Sequence, residues 1–187
     1  MHFRETALPG AYVIDIEKHA DDRGFFARTW CRREFTDRGL VTEFVQNSVS
    51  FNPTAGTLRG LHYQRAPHWE AKVVQCMRGA IYDVIVDLRA ASTTFGRWLG
   101  IELTADSHRM LYIPEQFAHG FQTLTADTEV GYMISAFHAP GAGGGIRYDD
   151  RSLGIRWPMP ITRISAQDES WPTLENHRDF PKTEPAN

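Results

Sequence analysis

The chain of 187 residues is 42% hydrophobic and 23% charged, with a formal net charge of -3. That suits one globular domain, residues 1–187, with a core of useful size. No apolar run is long enough to span a membrane, the start Met1-His2-Phe3-Arg4-Glu5 lacks the parts of a signal peptide, and no basic block is present to hold nucleic acid. Cys31 and Cys76 are too few for a disulfide scaffold and fit reduced thiols in a cytoplasmic protein.

In chain order, Tyr12 to Ile16 is the first strand candidate. Arg32 to Arg38 is the best helical segment, closed by Gly39 as its C-terminal cap. The polar run Leu58-Arg59-Gly60-Leu61-His62-Tyr63-Gln64, as a strand, sends Arg59, Leu61 and Tyr63 to one face and Gly60, His62 and Gln64 to the other. Lys72 to Met77 follows, then Ala80 to Leu88, the clearest period-two run. There Tyr82, Val84, Val86 and Leu88 share one face, and Ile81, Asp83, Ile85 and Asp87 the other. Carboxylates beside isoleucines imply a polar pocket inside a barrel, or else a strand end in solvent. Trp98 to Leu103, Arg109 to Ile113, His119 to Leu124 and Glu129 to Ser135 complete the strands. Gly141 to Gly145 has a loop composition that cannot support a strand, and the polar stretch 175–187, with two prolines, is expected to be a surface tail. Short strands recurring roughly every ten to fifteen residues predict an all-β fold, with a jelly roll as the expected closure.

His62 and His119 are the two histidines in a setting that suits chemistry. Each fits a general base, a metal ligand or a hydrogen-bonded structural residue. A metal-binding jelly roll usually presents a His-x-His pair with a nearby Glu and a distant third His. Here Tyr63 and Gln64 follow His62, so the pair is missing and no metal site is assigned. Lys72 opens a strand of valines, where an edge lysine that discourages aggregation is the simplest explanation. Asp168 in Gln167-Asp168-Glu169-Ser170 has the setting of a surface turn acid, and Tyr132 that of a core aromatic.

An ordered set of motifs resembles the dTDP-4-dehydrorhamnose 3,5-epimerase family. It comprises Asp22-Arg23-Gly24-Phe25-Phe26, Thr57 through Gln64, Asp83 through Arg89, Phe95-Gly96, Pro114 through Phe121, Gly144-Gly145-Ile146-Arg147, Asp149-Asp150, and Ser165 through Asp168. The similar region runs from about residue 20 to 171. The resemblance implies a cupin-type jelly roll (a double-stranded β-helix) with N-terminal strands and a few short helices. It implies a homodimer with exchanged N-terminal strands, no cofactor, and action on a nucleotide-diphosphate 4-keto-6-deoxy sugar. In that likeness His62 is the base, Asp168 its carboxylate partner, Lys72 the cation beside the keto oxygen and Tyr132 the proton donor on the opposite face. Arg23 and Arg59 match positions that meet the diphosphate, where guanidinium forks suit phosphate oxygens. His119 is expected to line the sugar pocket, and Gln46 and Ser48 the nucleotide end. Phe26 and Phe121 fit either stacking on base or sugar, or core packing.

Some positions depart from the family pattern. Arg28 and Gly143 stand where Glu is usual, Ser48 where an amide is usual, His138 where Tyr is usual, and Gly131 where a bulky apolar residue is common. The acid–base set is kept while the changes gather at the nucleotide end and the pocket rim. The carrier nucleotide and the number of inverted carbons therefore stay open. The alternatives are a single-carbon epimerase on a non-thymidine nucleotide sugar, a metal-dependent cupin enzyme and a catalytically silent sugar-nucleotide binder.

Overall fold

A computed structural model describes residues 1–177, 179 and 180. Its strands are β1 (His2–Glu5), β2 (Tyr12–Asp15), β3 (His19–Asp21) and β4 (Gly24–Phe26), followed by the short helix α1 (Arg32–Thr36). Then come β5 (Gln46–Asn52), β6 (Leu58–Gln64), β7 (Lys72–Arg78), β8 (Ala80–Asp87) and β9 (Trp98–Thr104). The series closes with β10 (Met110–Ile113), β11 (Phe117–Thr123), β12 (Thr128–Ile134), β13 (Gly143–Gly145) and helix α2 (Ala166–Ser170).

Two antiparallel sheets face each other in a jelly roll. One has the order β1-β2-β10-β7-β12-β5 and the other β13-β6-β11-β8-β9, while β3 and β4 form a separate hairpin. Period-two patterning explains the layers. Val74 and Cys76 of β7, Val130 of β12, Ile81 and Ile85 of β8, and Phe117 and Phe121 of β11 form the core between the sheets. The opposite faces are covered as well. Val84, Val86 and Leu88 pack with Ile146, Leu153 and Leu174 outside the five-stranded sheet. Val73, Met110 and Tyr112 pack with Phe35 of α1 outside the six-stranded one.

The two carboxylates of β8 have different settings, and neither reaches solvent. Asp83 faces the barrel interior. Asp87, at the strand end, holds the next loop: its oxygens accept from the Arg89 guanidinium and from the Ser92 and Thr94 hydroxyls, the last two at 2.6 Å. Burial works against its charge, but these bonds outweigh it and keep the carboxyl below its ordinary range. A carboxyl lowered in the folded state contributes stability that is full above its unfolded value and is lost as pH falls through the folded one. Asp87→Asn is therefore expected to cost about 2 kcal/mol at neutral pH. Thermal melts from pH 7 down to pH 2 should show the gap to wild type closing below pH 4.

Two expectations from the sequence are corrected. Gly143–Gly145 is a strand, paired with β6 through Gly143 opposite Gln64 and Gly145 opposite His62. Glycine is needed here for space. A Cβ at Gly145 would lie 2.4 Å from the Trp171 ring, and one at Gly144 2.6 Å from that of Tyr63. His177 and Phe180, within the stretch expected to be a tail, also pack against the sheet. His177 is buried, its Nε2 lies 2.9 Å from the Tyr63 hydroxyl, and Phe180 packs on Tyr63 and Phe95. The rest of the stretch expected to be a tail, residue 178 and residues 181–187, lies outside the described residues.

Candidate functional site

The interior of the jelly roll opens at one end into a cleft of about 530 Å³, lined from both sheets. β6, β11 and β13 supply His62, His119 and Gly144 from one side; β5, β7 and β12 supply Ser50, Lys72 and Tyr132 from the other. Arg59, Gln46, Ser48 and Phe121 also line it.

A register shift in β6 sets the first key position. On β11, His119 and Phe121 share a face, and their partners on β6 are His62 and Arg59, so one extra residue is accommodated between them. This bulge turns Arg59 to the same side as His62, where simple alternation had placed them on opposite faces. Gly60 makes it possible. Its φ of +121° lies in the region that favours glycine, and a Cβ there would meet the Gly120 Cα at 2.5 Å.

His62 and Asp168 form a dyad. The imidazole Nε2 lies 2.6 Å from Asp168 Oδ1, with the histidine side chain 45% exposed to the cleft and the carboxylate only 5% exposed behind it. Helix α2 presents the acid: the Ser165 hydroxyl caps it by accepting from the Asp168 N–H at 3.0 Å. The Gly60 N–H donates to Asp168 Oδ2 at 3.2 Å. Burial raises this carboxyl, yet the hydrogen bond and charge of His62, the Gly60 N–H and the Ser165 hydroxyl together prevail and hold it below its ordinary range. Asp168 is thus a buried, ionised partner fixing the imidazole orientation, and not a surface turn acid.

A second dyad lies deeper. His119 Nε2 is 2.7 Å from Asp83 Oδ1, both side chains almost fully buried, and the other carboxylate oxygen has no hydrogen-bond partner among the described residues. The His119 ring meets Tyr132 edge to face at 6.2 Å. The Tyr132 hydroxyl lies 3.2 Å from Ser50 Oγ. Burial pushes this phenol well above its ordinary value, with the Asp83 charge adding to it and Ser50 and Arg59 only partly opposing, so it is a protonated donor at neutral pH.

Lys72 sits on the inner face of β7 in line with Val74 and Cys76, its side chain 10% exposed and 2.9 Å from Glu70 Oε1. It is an interior cation, not an edge lysine. Arg59 Nε donates to Asn52 Oδ1 at 2.7 Å, and Gln46 Oε1 accepts from the His138 N–H at 2.7 Å. Phe121 belongs to the core and also walls the cleft. Arg23 and Phe26 stand apart. They belong to the β3–β4 hairpin, where Arg23 pairs with Asp21 and Phe26 is 74% exposed, and neither lines the cleft of its own chain.

Sequence inspection did not find Glu70, Gln64, Ser50 or Asn52 as site residues. The last two had a signal: Gln46, Ser48, Ser50 and Asn52 alternate along β5 and mark a polar inner face. No group of three or more His, Cys, Asp or Glu side chains arranged to hold a metal ion occurs among the described residues.

A jelly roll that closes over a cleft holding a His–Asp dyad, a buried phenol and an interior lysine defines an isomerase working by acid–base chemistry. The family model for dTDP-4-dehydrorhamnose 3,5-epimerase matches residues 5–176, and the chain belongs to that family. It is 39% identical to the dTDP-4-dehydrorhamnose 3,5-epimerase of Methanothermobacter thermautotrophicus, over 94% of this chain and 95% of the relative. Among solved structures, that of the Bacillus anthracis dTDP-4-dehydrorhamnose 3,5-epimerase with TDP and PPi bound superposes with a TM-score of 0.89 at 40% identity, covering 92% of this chain and 99% of the other. A 3′-monoepimerase from Streptomyces bikiniensis in complex with dTDP-quinovose gives 0.84 at 34% identity, covering 93% and 87%.

Proposed function

We propose that the protein inverts C3′ and/or C5′ of a nucleotide-linked 4-keto-6-deoxyhexose, of the dTDP-4-dehydro-6-deoxyglucose type, in deoxysugar biosynthesis in the cytoplasm. The observation that carries this reading is the placement of the His62–Asp168 dyad and the Tyr132 phenol on opposite sheets of one cleft. A proton next to a ketone is removable when the resulting enolate is stabilised. The His62 nitrogen remote from Asp168 takes that proton, and Asp168 stabilises the imidazolium. The Lys72 ammonium faces the oxyanion. Tyr132 returns a proton to the other face of the carbon, which inverts it. The scheme draws on no cofactor. Arg59 meets the diphosphate within the cleft, His119 and Phe121 wall the sugar, and Gln46 and Ser48 border the nucleotide end.

Arg23 and Phe26 take part if the active form is a homodimer with exchanged N-terminal strands. The β3–β4 hairpin is bonded to neither main sheet. The outer face of the six-stranded sheet carries a depression of about 400 Å³ lined by Val49, Val73, Met77, Met110 and Met133. Val49, Phe51 and Met77 are exposed there, a large apolar patch for an uncovered surface. Sedimentation analysis should find a dimer, and a monomer at all concentrations would remove Arg23 and Phe26 from the site.

Deuterium exchange from heavy water, followed by NMR with thymidine-, cytidine- and guanosine-linked 4-keto-6-deoxy sugars, tests the activity. Exchange at C3′ or C5′ on at least one carrier is expected. Folded protein that exchanges neither position on any carrier would falsify the assignment. The same spectra decide between double and single epimerisation. The single-carbon reading draws support from the departures at Arg28, Ser48, His138 and Gly143, three of which (Ser48, His138 and Gly143) border the cleft.

A further inference from the structure

Resting on the reading above, we infer that Glu70 is a positioning residue for Lys72. A lysine has a flexible four-carbon stem, so an ammonium that must face one developing oxyanion needs an anchor. Glu70, in the segment before β7, supplies an oxygen 2.9 Å from Lys72 Nζ, and both side chains are almost withdrawn from solvent (13% and 10% exposed). Glu70 is itself fixed from behind. Its Oε2 accepts from Gln64 Nε2 at 3.0 Å. Gln64 in turn donates to the carbonyls of His68 and Phe137 at 3.2 and 3.3 Å, and its Oε1 accepts from the Ala139 N–H at 2.9 Å. The amide therefore ties the end of β6, the approach to β7 and the loop after β12 into one frame.

The catalytic task asks for an oxygen at this place, not for a net charge. A full counter-charge beside Lys72 subtracts from the positive potential available to the enolate. An amide oxygen in the same position attracts the ammonium while leaving that potential larger. In Glu70→Gln with the amide oxygen on Lys72, the new NH2 meets the Gln64 NH2 and that one hydrogen bond is lost. The bonds of Gln64 to the His68 and Phe137 carbonyls and to the Ala139 N–H remain to hold the frame. Glu70 thus acts through Lys72 and affects the step in which charge develops on the sugar oxygen.

Steady-state epimerisation and deuterium exchange of Glu70→Ala, Glu70→Met and Glu70→Gln test the inference, with thermal midpoints as the folding control. Glu70→Ala is expected to lower kcat about tenfold with KM within about twofold, since the lost interaction belongs to the transition state. Glu70→Met keeps the stem without the oxygens and should match it, which covers the case of an alanine variant that does not fold. Glu70→Gln should restore kcat to within about threefold of wild type. The inference is overturned if the oxygen-free variants keep wild-type kcat, or if Glu70→Gln is as slow as they are. Wild-type protein that exchanges no deuterium on any carrier rejects the epimerase reading. Wild-type exchange with unimpaired Glu70→Ala rejects the positioning role alone.

Discussion

Replacing His62 with alanine is expected to lower kcat for epimerisation by about 10³-fold while KM moves by less than about threefold. In the proposed mechanism His62 is the base, so its loss removes proton abstraction while the rest of the cleft lining stays in place. Deuterium uptake should fall in parallel with turnover. If two carbons are inverted, both should lose exchange together, because one base at the cleft mouth serves each. His119 is the alternative base, but it lies deeper and is held by Asp83. Exchange that persists at one carbon in His62→Ala would assign that carbon to His119, and wild-type exchange at both would remove His62 from the mechanism. The variant leaves Asp168 buried without the partner that holds its carboxyl low, with only the Gly60 N–H and the Ser165 cap. Its melting temperature should therefore fall, and His62→Asn, which offers a donor to the carboxylate, should recover much of that loss but none of the activity.

Much of the architecture was legible because burial on one face imposes strict alternation. Along β8 both faces followed from Ala80–Asp87 alone, and the observed strands begin or end within two residues of most expected ones. β13 was not legible, since three glycines carry no side-chain preference; its pairing is imposed by β6 and by the Tyr63 and Trp171 rings filling the space that side chains would need. The faces of β6 were misread for a related reason. Alternation holds only while the register does, and the bulge at Gly60 breaks it between Arg59 and His62. Asp83 and His119 each stood out singly, yet their pairing depends on the register of β8 against β11, which no local pattern encodes. Arg23 and Phe26 show a different limit: the likeness implies roles for them, but within this chain neither lines the cleft.

Tyr132→Phe should separate the two halves of the reaction. The base half remains intact, so His62 still removes a proton and solvent deuterium still enters the substrate. Inversion should fall about 10²-fold, because the phenol that protonates the opposite face is gone. The expected signature is a rise in the ratio of exchange to inversion, with deuterium washed into substrate of unchanged configuration. Stability should hardly change: one hydroxyl contact, to Ser50 Oγ at 3.2 Å, is lost, worth about 1 kcal/mol. Melting curves and the exchange-to-inversion ratio therefore test the same variant independently. Inversion at the wild-type rate would leave the tyrosine as packing against His119. Loss of exchange together with inversion would mean that the phenol is needed for enolate formation as well. The geometry argues for separation. β12 belongs to one sheet and β6 to the other, so the phenol and the His62–Asp168 dyad lie on opposite walls of the barrel, and removing one wall's hydroxyl leaves the other wall's dyad untouched.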